Sequence, residues 1–157
     1  MTLATREDVR SLWDELSQTD VDVSLKKYRE GRNLSQNGLY WASLTQLARK
    51  LGVSNNHMHN LMIRNYGQPE IFDDKVVYTM LPDTDDAERK ALEADTYHIK
   101  PTSKVKHGSD GVNYRAYMLM RGSSTYNTEE FSRLLDGLLE ACEDMGIHVQ
   151  TGREDGQ

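Results

Sequence analysis

The residues best suited to bind an anion are concentrated in one short stretch, residues 26–41. Cations open this stretch, and amide side chains and two aromatic rings follow them. Its members are Lys26, Lys27, Arg29, Arg32, Asn33, Gln36, Asn37, Tyr40 and Trp41. Lysine and arginine neutralise phosphate groups, and the free N–H groups at the start of a helix add oriented donors for an anion. The stretch therefore predicts binding to a polyanion.

A second basic block lies in residues 97–126, which hold five lysine or arginine residues and a single acidic one, Asp110. Residues 25–67 hold seven cations and one glutamate, whereas the whole chain has a net charge of -6. This balance argues against a globally basic nucleic-acid binder. If the fold brings the two blocks together, they form a basic groove in an otherwise acidic body. The alternative is that each block is only a solvated face.

Tyrosine rings allow unpaired bases to stack without regard to sequence, and the loop Gly122-Ser123-Ser124 offers further hydrogen-bond donors. We therefore predict a DNA-binding surface made of both basic blocks. Its residues are Lys26, Lys27, Arg29, Arg32, Asn33, Gln36, Asn37, Tyr40, Lys104, Lys106, Arg115, Ser123 and Ser124.

The spacing of apolar residues predicts the elements that must position this surface. Helices are predicted over residues 4–17, 35–51, 55–66, 84–94 and 127–145, and strands over residues 20–26, 74–81 and twice within 97–121. The prediction is an α+β fold: a small antiparallel sheet packed with helices, including a helical hairpin and a long C-terminal amphipathic helix. It forms one domain, residues 1–150, followed by a disordered tail, residues 151–157.

The helical hairpin suggests a second way to bind DNA. Ala48, Gly52 and Val53 have the spacing of a helix-turn-helix within residues 45–64. Its second helix would present polar side chains to the major groove, namely Asn55, Asn56, His57, His59, Asn60 and Arg64. Amides in that position can read adenine edges. A regulator that reads duplex DNA is thus the alternative function, although a plain helical hairpin has the same packing needs.

Signatures of catalysis are missing from the sequence. It has no phosphate-cradling glycine loop, no nucleophile elbow and no His-Glu-x-x-His motif. The acidic run Asp83, Asp85, Asp86 and Glu88 can in principle hold the metal ions of a nuclease, but acidic residues at a helix start ordinarily compensate the helix dipole. We predict a protein that is not an enzyme and has no metal site or cofactor.

The sequence also indicates where the protein works. Its lone cysteine, Cys142, has no partner in the chain for a disulfide, which favours a reducing compartment. No apolar run approaches the roughly 18 residues that a membrane span needs. We therefore expect a cytoplasmic protein without a membrane partner.

Two motifs resemble those of a known family. Arg32-Asn33-Leu34-Ser35-Gln36-Asn37, with Trp41 nine residues after Arg32, resembles the Arg-Ser-Leu-x-Gln-Asn motif and following tryptophan of the phage NinB (Orf) recombination proteins. Glu130-Phe131-x-x-Leu134-Leu135, with Gly146 at the helix end, is similar to the C-terminal helix of the same family. The segment 122–126 and Met145-Gly146-Ile147 resemble relatives from phages of Gram-positive hosts. The sequence departs from the family at Asn33, where the family has serine, and in the acidic segment 68–96.

This resemblance implies a recombination mediator of a phage. Such a mediator is a homodimeric α+β protein that binds single-stranded DNA in the host cytoplasm. It helps a recombinase to load on strands already covered by single-strand-binding protein. The motif residues carried over are Arg32, Leu34, Gln36, Asn37 and Trp41. We take Leu34 and Trp41 as scaffold, whereas Gln36 and Asn37 either contact DNA or bind backbone groups at the helix start.

Overall fold

A computed structural model describes residues 34–149 of the chain. Within this range it has four α-helices and five short strands in the order α1 (Leu34–Leu51), α2 (Asn55–Tyr66), β1 (Ile71–Phe72), β2 (Lys75–Val76), β3 (Tyr78–Pro82), α3 (Asp85–Glu93), β4 (His98–His107), β5 (Asn113–Met120) and α4 (Thr128–Asp144). A 3₁₀ turn, Ser123–Thr125, joins β5 to α4. The predicted α+β class is confirmed. The predicted helix 4–17, strand 20–26 and tail 151–157 lie outside the described residues.

The helical hairpin forms as its capping residues predict. Gly52 follows α1 with a φ of 70°, a left-handed conformation that glycine adopts without steric cost. Ser54 then starts α2, because its side chain accepts a hydrogen bond from the backbone N–H of His57. The two helices are therefore joined by a turn of only three residues.

Helix α4 covers this hairpin and completes the larger core. Asn127 and Glu130 form a capping box, each side chain binding the backbone N–H of the other residue. Phe131, Leu134 and Leu138 are fully buried against α1 and α2. Gly137 permits a close approach, because a methyl group at that position would overlap the ring of Tyr66.

The main sheet has three antiparallel strands in the order β3-β5-β4. The predicted strand 74–81 is wrong in its boundaries: β2 pairs with β1 in a separate two-stranded hairpin, and only β3 joins the main sheet. The reason lies at Asp73 and Asp74, which have φ values of 51° and 58° and so turn the chain back on itself. Residues 98–107 and 113–120 pair as predicted.

Helix α3 packs on one face of this sheet. Ala91 is buried with Ile99 and Tyr117 in a second, smaller core, to which Leu81 and Leu119 also belong. The helix lies within the predicted range 84–94 and buries one side against the sheet. On the other face of the sheet, Met118 and Met120 pack on the helical core.

Helices within the described range do not have the length and apolar character needed to cross a membrane.

Candidate nucleic-acid interface

One part of the sheet carries an uncovered face with both apolar and cationic side chains. Residues of the three strands alternate between the two faces, so those in register on the same face form rows. Tyr78, Met118 and Lys100 form one row. Met80 and Ala116 lie in the next row, and Lys106 lies opposite Tyr114 beyond them. The helical core covers this face at Met118 and Met120. We call the remaining part, which carries Tyr78, Met80, Ala116 and the lysines, the open sheet face. It lies opposite the face that α3 covers.

A depression of about 430 Å³ occupies the open sheet face. Its walls are Tyr78, Met80, Thr102, Ser103, Lys104, Lys106 and Ala116. An irregularity between Pro101 and Val105 lets β4 bulge there. The hydroxyl of Thr102 fixes the bulge by donating to the carbonyl oxygen of Ala116 at 2.8 Å. The bulge thereby places Lys104 beside Lys106 at the rim of the depression.

The lysines of this face differ from most other cations of the described residues, because they have no ion-pair partner there. Arg64, Arg115 and Arg121 are bound to Glu88, Asp83 and Glu130, respectively. Lys100, Lys104 and Lys106 are exposed and make no salt bridge within residues 34–149. Binding an external anion therefore breaks no internal pair at these lysines.

Tyr78 and Met80 supply apolar contact area beside those charges. Tyr78 is 54% exposed and Met80 is 41% exposed. An exposed ring beside unpaired lysines can stack on a base while the ammonium groups contact phosphate. Neither residue was predicted from the sequence to belong to a site, although their period-2 spacing in β3 places them on one face.

Arg115 lies apart from Lys104 and Lys106, although the sequence grouped the three together. Its register with Leu81 and Val105 places it on the face that α3 covers, opposite Lys106. There its guanidinium contacts both carboxylate oxygens of Asp83, at 2.8 and 3.3 Å, and donates to the carbonyl oxygen of Thr102. Arg115 therefore connects the strands to the start of α3 and does not belong to the open sheet face.

Tyr40 and Ser123 also differ from the prediction. Tyr40 has no exposed surface, and its hydroxyl lies 2.7 Å from Nδ1 of His59. Burial raises the pKa of this phenol well above its ordinary value. Ser123 is buried in the 3₁₀ turn, whereas its neighbour Ser124 is exposed. Tyr40 and Ser123 thus belong to the interior, and neither presents a surface for stacking or for a phosphate.

Gln36 and Asn37 lie in the first turn of α1 and are both half-buried. The side-chain oxygen of Gln36 is buried and has no hydrogen-bond partner among the described residues. Trp41 is only partly covered, and its ring centroid lies 4.7 Å from that of His59. The part of the motif that the structure describes therefore lies beside a polar interior that includes His59.

The described members of the predicted surface fall into two groups. Trp41 of α1 contacts His59. The ring centroid of His59 lies 5.3 Å from that of His98, which pairs with Met120 at one end of the sheet. Lys106 pairs with Tyr114 at the other end of the sheet. Tyr114 and Met120 are six residues apart in β5, a distance of roughly 20 Å. Lys104 and Lys106 therefore form one site, separate from Gln36 and Ser124. Lys26, Lys27, Arg29, Arg32 and Asn33 lie outside the described residues.

Two residues of the proposed recognition helix, Asn60 and Arg64, face the interior. Asn60 is buried and donates to the carbonyl oxygens of Leu92 and Ala94 at 2.7 and 2.8 Å. Arg64 is buried as well and binds Glu88 and the carbonyl oxygen of Ile99. Since α3 and β4 occupy this side of α2, the helix cannot insert these side chains into a major groove.

The acidic run does not assemble a metal site. Asp83 binds Arg115, Asp86 binds Arg89 and Lys90, and Glu88 binds Arg64. Three of the four carboxylates of the run thus have cationic partners of their own. A search of residues 34–149 for clusters of three or more metal-ligating side chains finds none.

Sequence reasoning missed a contact between two histidines, buried His59 and half-buried His98. Nδ1 of His98 lies 2.6 Å from the side-chain oxygen of Asn60, and His59 faces His98 edge-on. Burial, and secondarily the nearby His98, lower the pKa of His59 to about 4. Burial also lowers the pKa of His98. The two rings are distant in sequence, so no local spacing signals their contact.

This pair predicts a loss of stability on acidification. His59 is neutral in the folded state down to about pH 4 but takes up a proton near pH 6.5 when unfolded. Protons therefore favour the unfolded chain between these values, and lowering the pH from 8 to 5 should reduce the free energy of unfolding by about 2 kcal/mol. Urea denaturation at each pH measures this. His59→Gln should flatten the dependence, whereas exposed His107→Gln should not; equal slopes in all three proteins would contradict the assignment.

Comparison with known proteins gave no match of any kind: no protein-family model, no curated protein and no solved structure is detectably similar to this chain.

Proposed function

We propose that this protein binds single-stranded DNA without catalysing a reaction on it and acts as a mediator of phage recombination. The observation that carries the DNA-binding part is the open sheet face, where exposed Tyr78 and Met80 adjoin Lys104 and Lys106. Phosphate contacts from lysines provide affinity, and aromatic stacking adds affinity that does not depend on sequence.

The geometry favours unpaired over paired DNA. An exposed ring on a sheet can stack only on a base whose flat surface is accessible, and duplex bases already stack on each other. Duplex reading would need a helix or ribbon to enter a groove with free side chains. Asn60 and Arg64 of α2 are engaged with α3 and β4, which leaves the helix-turn-helix alternative without two of its six reading residues.

The role in recombination rests on the resemblance of residues 32–41 and 130–146 to the NinB (Orf) proteins. Two features agree with that part of the proposal: a helix begins within the first motif at Leu34, and a long capped helix ends at Asp144, shortly before Gly146. The proposal accordingly includes a homodimer, a recombinase and a host or phage single-strand-binding protein as partners, in the cytoplasm of the host cell.

Fluorescence anisotropy with a short labelled oligonucleotide tests the binding. The single strand should bind more tightly than the duplex of the same sequence. If Lys100, Lys104 and Lys106 each contact a phosphate, raising the salt from about 50 to 200 mM should weaken binding about 20-fold. Salt-insensitive binding, or tighter binding to the duplex, would contradict the proposal.

A further inference from the structure

The β1–β2 hairpin exposes an apolar tip. Phe72 is 78% exposed and Ile71 is 49% exposed, the former more than any other large apolar side chain of the described residues. Asp73 and Asp74 close the hairpin in the left-handed region, which residues other than glycine enter at an energetic cost. Strands of two residues are too short to be stable alone. The hairpin thus presents a large aromatic side chain to solvent from a strained turn.

The charge around this tip indicates which kind of surface it fits. Glu70, Asp73 and Asp74 flank Ile71 and Phe72, and Lys75 is the only cation among residues 70–76. Carboxylates repel nucleic-acid phosphates, so this tip is unsuited to DNA. A complementary surface needs an apolar floor for the ring and cations at its rim.

The depression on the open sheet face has both of these properties. Met80 and Ala116 provide an apolar floor, and Lys104 and Lys106 lie at the rim without ion pairs among the described residues. Its volume of about 430 Å³ falls in the range of sites that enclose organic groups. The hairpin of the same chain does not fill it, because Phe72 remains exposed.

We propose that the occupant of this depression is the hairpin tip of a second copy of this chain. The hairpin ends at Val76, and β3, which lines the depression, begins at Tyr78, so both halves of the contact belong to one continuous patch. A patch that carries a projection and its complementary depression can pair with itself about a two-fold axis, each copy giving and receiving one hairpin. The carboxylates at Asp73 and Asp74 then face Lys104 and Lys106 of the other copy.

This contact has a consequence for the proposed function, on which this step rests. The rim lysines can hold either the partner's hairpin or phosphate groups, but not both at once. Single-stranded DNA therefore competes with this self-association. The homodimer of the proposed function is, in this arrangement, the form of the protein to which no DNA is bound.

Charge exchange between the two halves tests the contact. In one variant the tip is reversed, Asp73→Lys with Asp74→Lys; in the other the rim is reversed, Lys104→Glu with Lys106→Glu. Each alone places like charges in both contacts and should remain monomeric in sedimentation velocity at low salt. Their equimolar mixture restores opposite charges in both contacts and should sediment as a dimer. A wild-type protein that stays monomeric, or a mixture no more associated than its components, would overturn the proposal.

A second variant guards against effects of folding. Asp73→Asn with Asp74→Gly suits the two-residue turn better than the native pair and removes its charge, so it should keep the hairpin but weaken self-association. Undiminished association of this variant would also overturn the proposal. Oligonucleotide added to the wild-type dimer separates the two hypotheses. Dissociation supports both hypotheses. If the charge-exchanged mixture forms a dimer as expected but the protein binds no oligonucleotide, only the proposed function is refuted.

Discussion

Replacing Lys104 and Lys106 together by alanine should weaken binding of single-stranded DNA roughly 25-fold at 0.1 M salt. Each phosphate contact adds about 0.7 to the slope of log affinity against log salt, so the loss of two contacts lowers the slope by about 1.4. From 1 M to 0.1 M salt, which is one decade, the variant therefore gains about 1.4 fewer decades of affinity than the wild type, or roughly 25-fold less. Neither lysine has an ion pair within the described residues, so their removal should leave the fold intact. Anisotropy titrations at several salt concentrations give both quantities.

A matched control separates this site from the charge of the whole protein. Arg49→Ala with Lys50→Ala removes the same two charges from the exposed last turn of α1, which lies outside the open sheet face. This pair should change affinity only slightly. Tyr78→Ala provides the converse control, because loss of stacking should weaken binding while the salt slope stays unchanged. Equal losses from both charge pairs would mean that the open sheet face is not the binding site.

Local signals explain which elements could be predicted from the sequence. Asn127 with Glu130, Ser54 and Gly52 each act on backbone groups within a few residues, so the helix ends they predict are confirmed. The β1–β2 hairpin was missed because Asp73 and Asp74 adopt a turn more typical of asparagine and glycine. A local pattern cannot show that two aspartates will accept this conformation.

Which side of an element faces solvent depends on partners that are distant in sequence. The basic block 97–126 contains Arg115 and Lys106, which lie on opposite faces of the sheet, because Lys106 is in register with Tyr114, the residue next to Arg115 in β5. Composition alone could not separate them. Likewise Tyr40 lies in a stretch rich in cations and amides, but its hydroxyl is directed to His59, 19 residues away. Lys104 and Lys106 of the candidate site were therefore predicted from the sequence, whereas Tyr78 and Met80 were identified only in the structure.

The connection of α2, α3 and the sheet depends on one buried ion pair. Arg64 donates to both carboxylate oxygens of Glu88 and to the carbonyl oxygen of Ile99, the latter at 2.8 Å. The hydroxyl of Tyr117 donates to the same carboxylate at 3.0 Å. Burial, and secondarily this hydrogen bond to Glu88, raise the pKa of Tyr117 to about 12. The open sheet face is thus supported from behind by a polar network that includes α3.

Glu88→Ala should reduce the free energy of unfolding by about 3 kcal/mol, because it leaves the guanidinium of Arg64 buried without a counter-charge. We take the lower end of the usual range, since the Glu88 side chain is 34% exposed. Arg64→Met combined with Glu88→Met should recover most of this loss, because no charge is then left unpaired. Arg133→Ala, which breaks the exposed pair with Glu129, should change the stability by less than about 1 kcal/mol. Urea denaturation of the four proteins measures these differences. If the double variant is no more stable than Glu88→Ala, packing rather than the unpaired charge accounts for the loss.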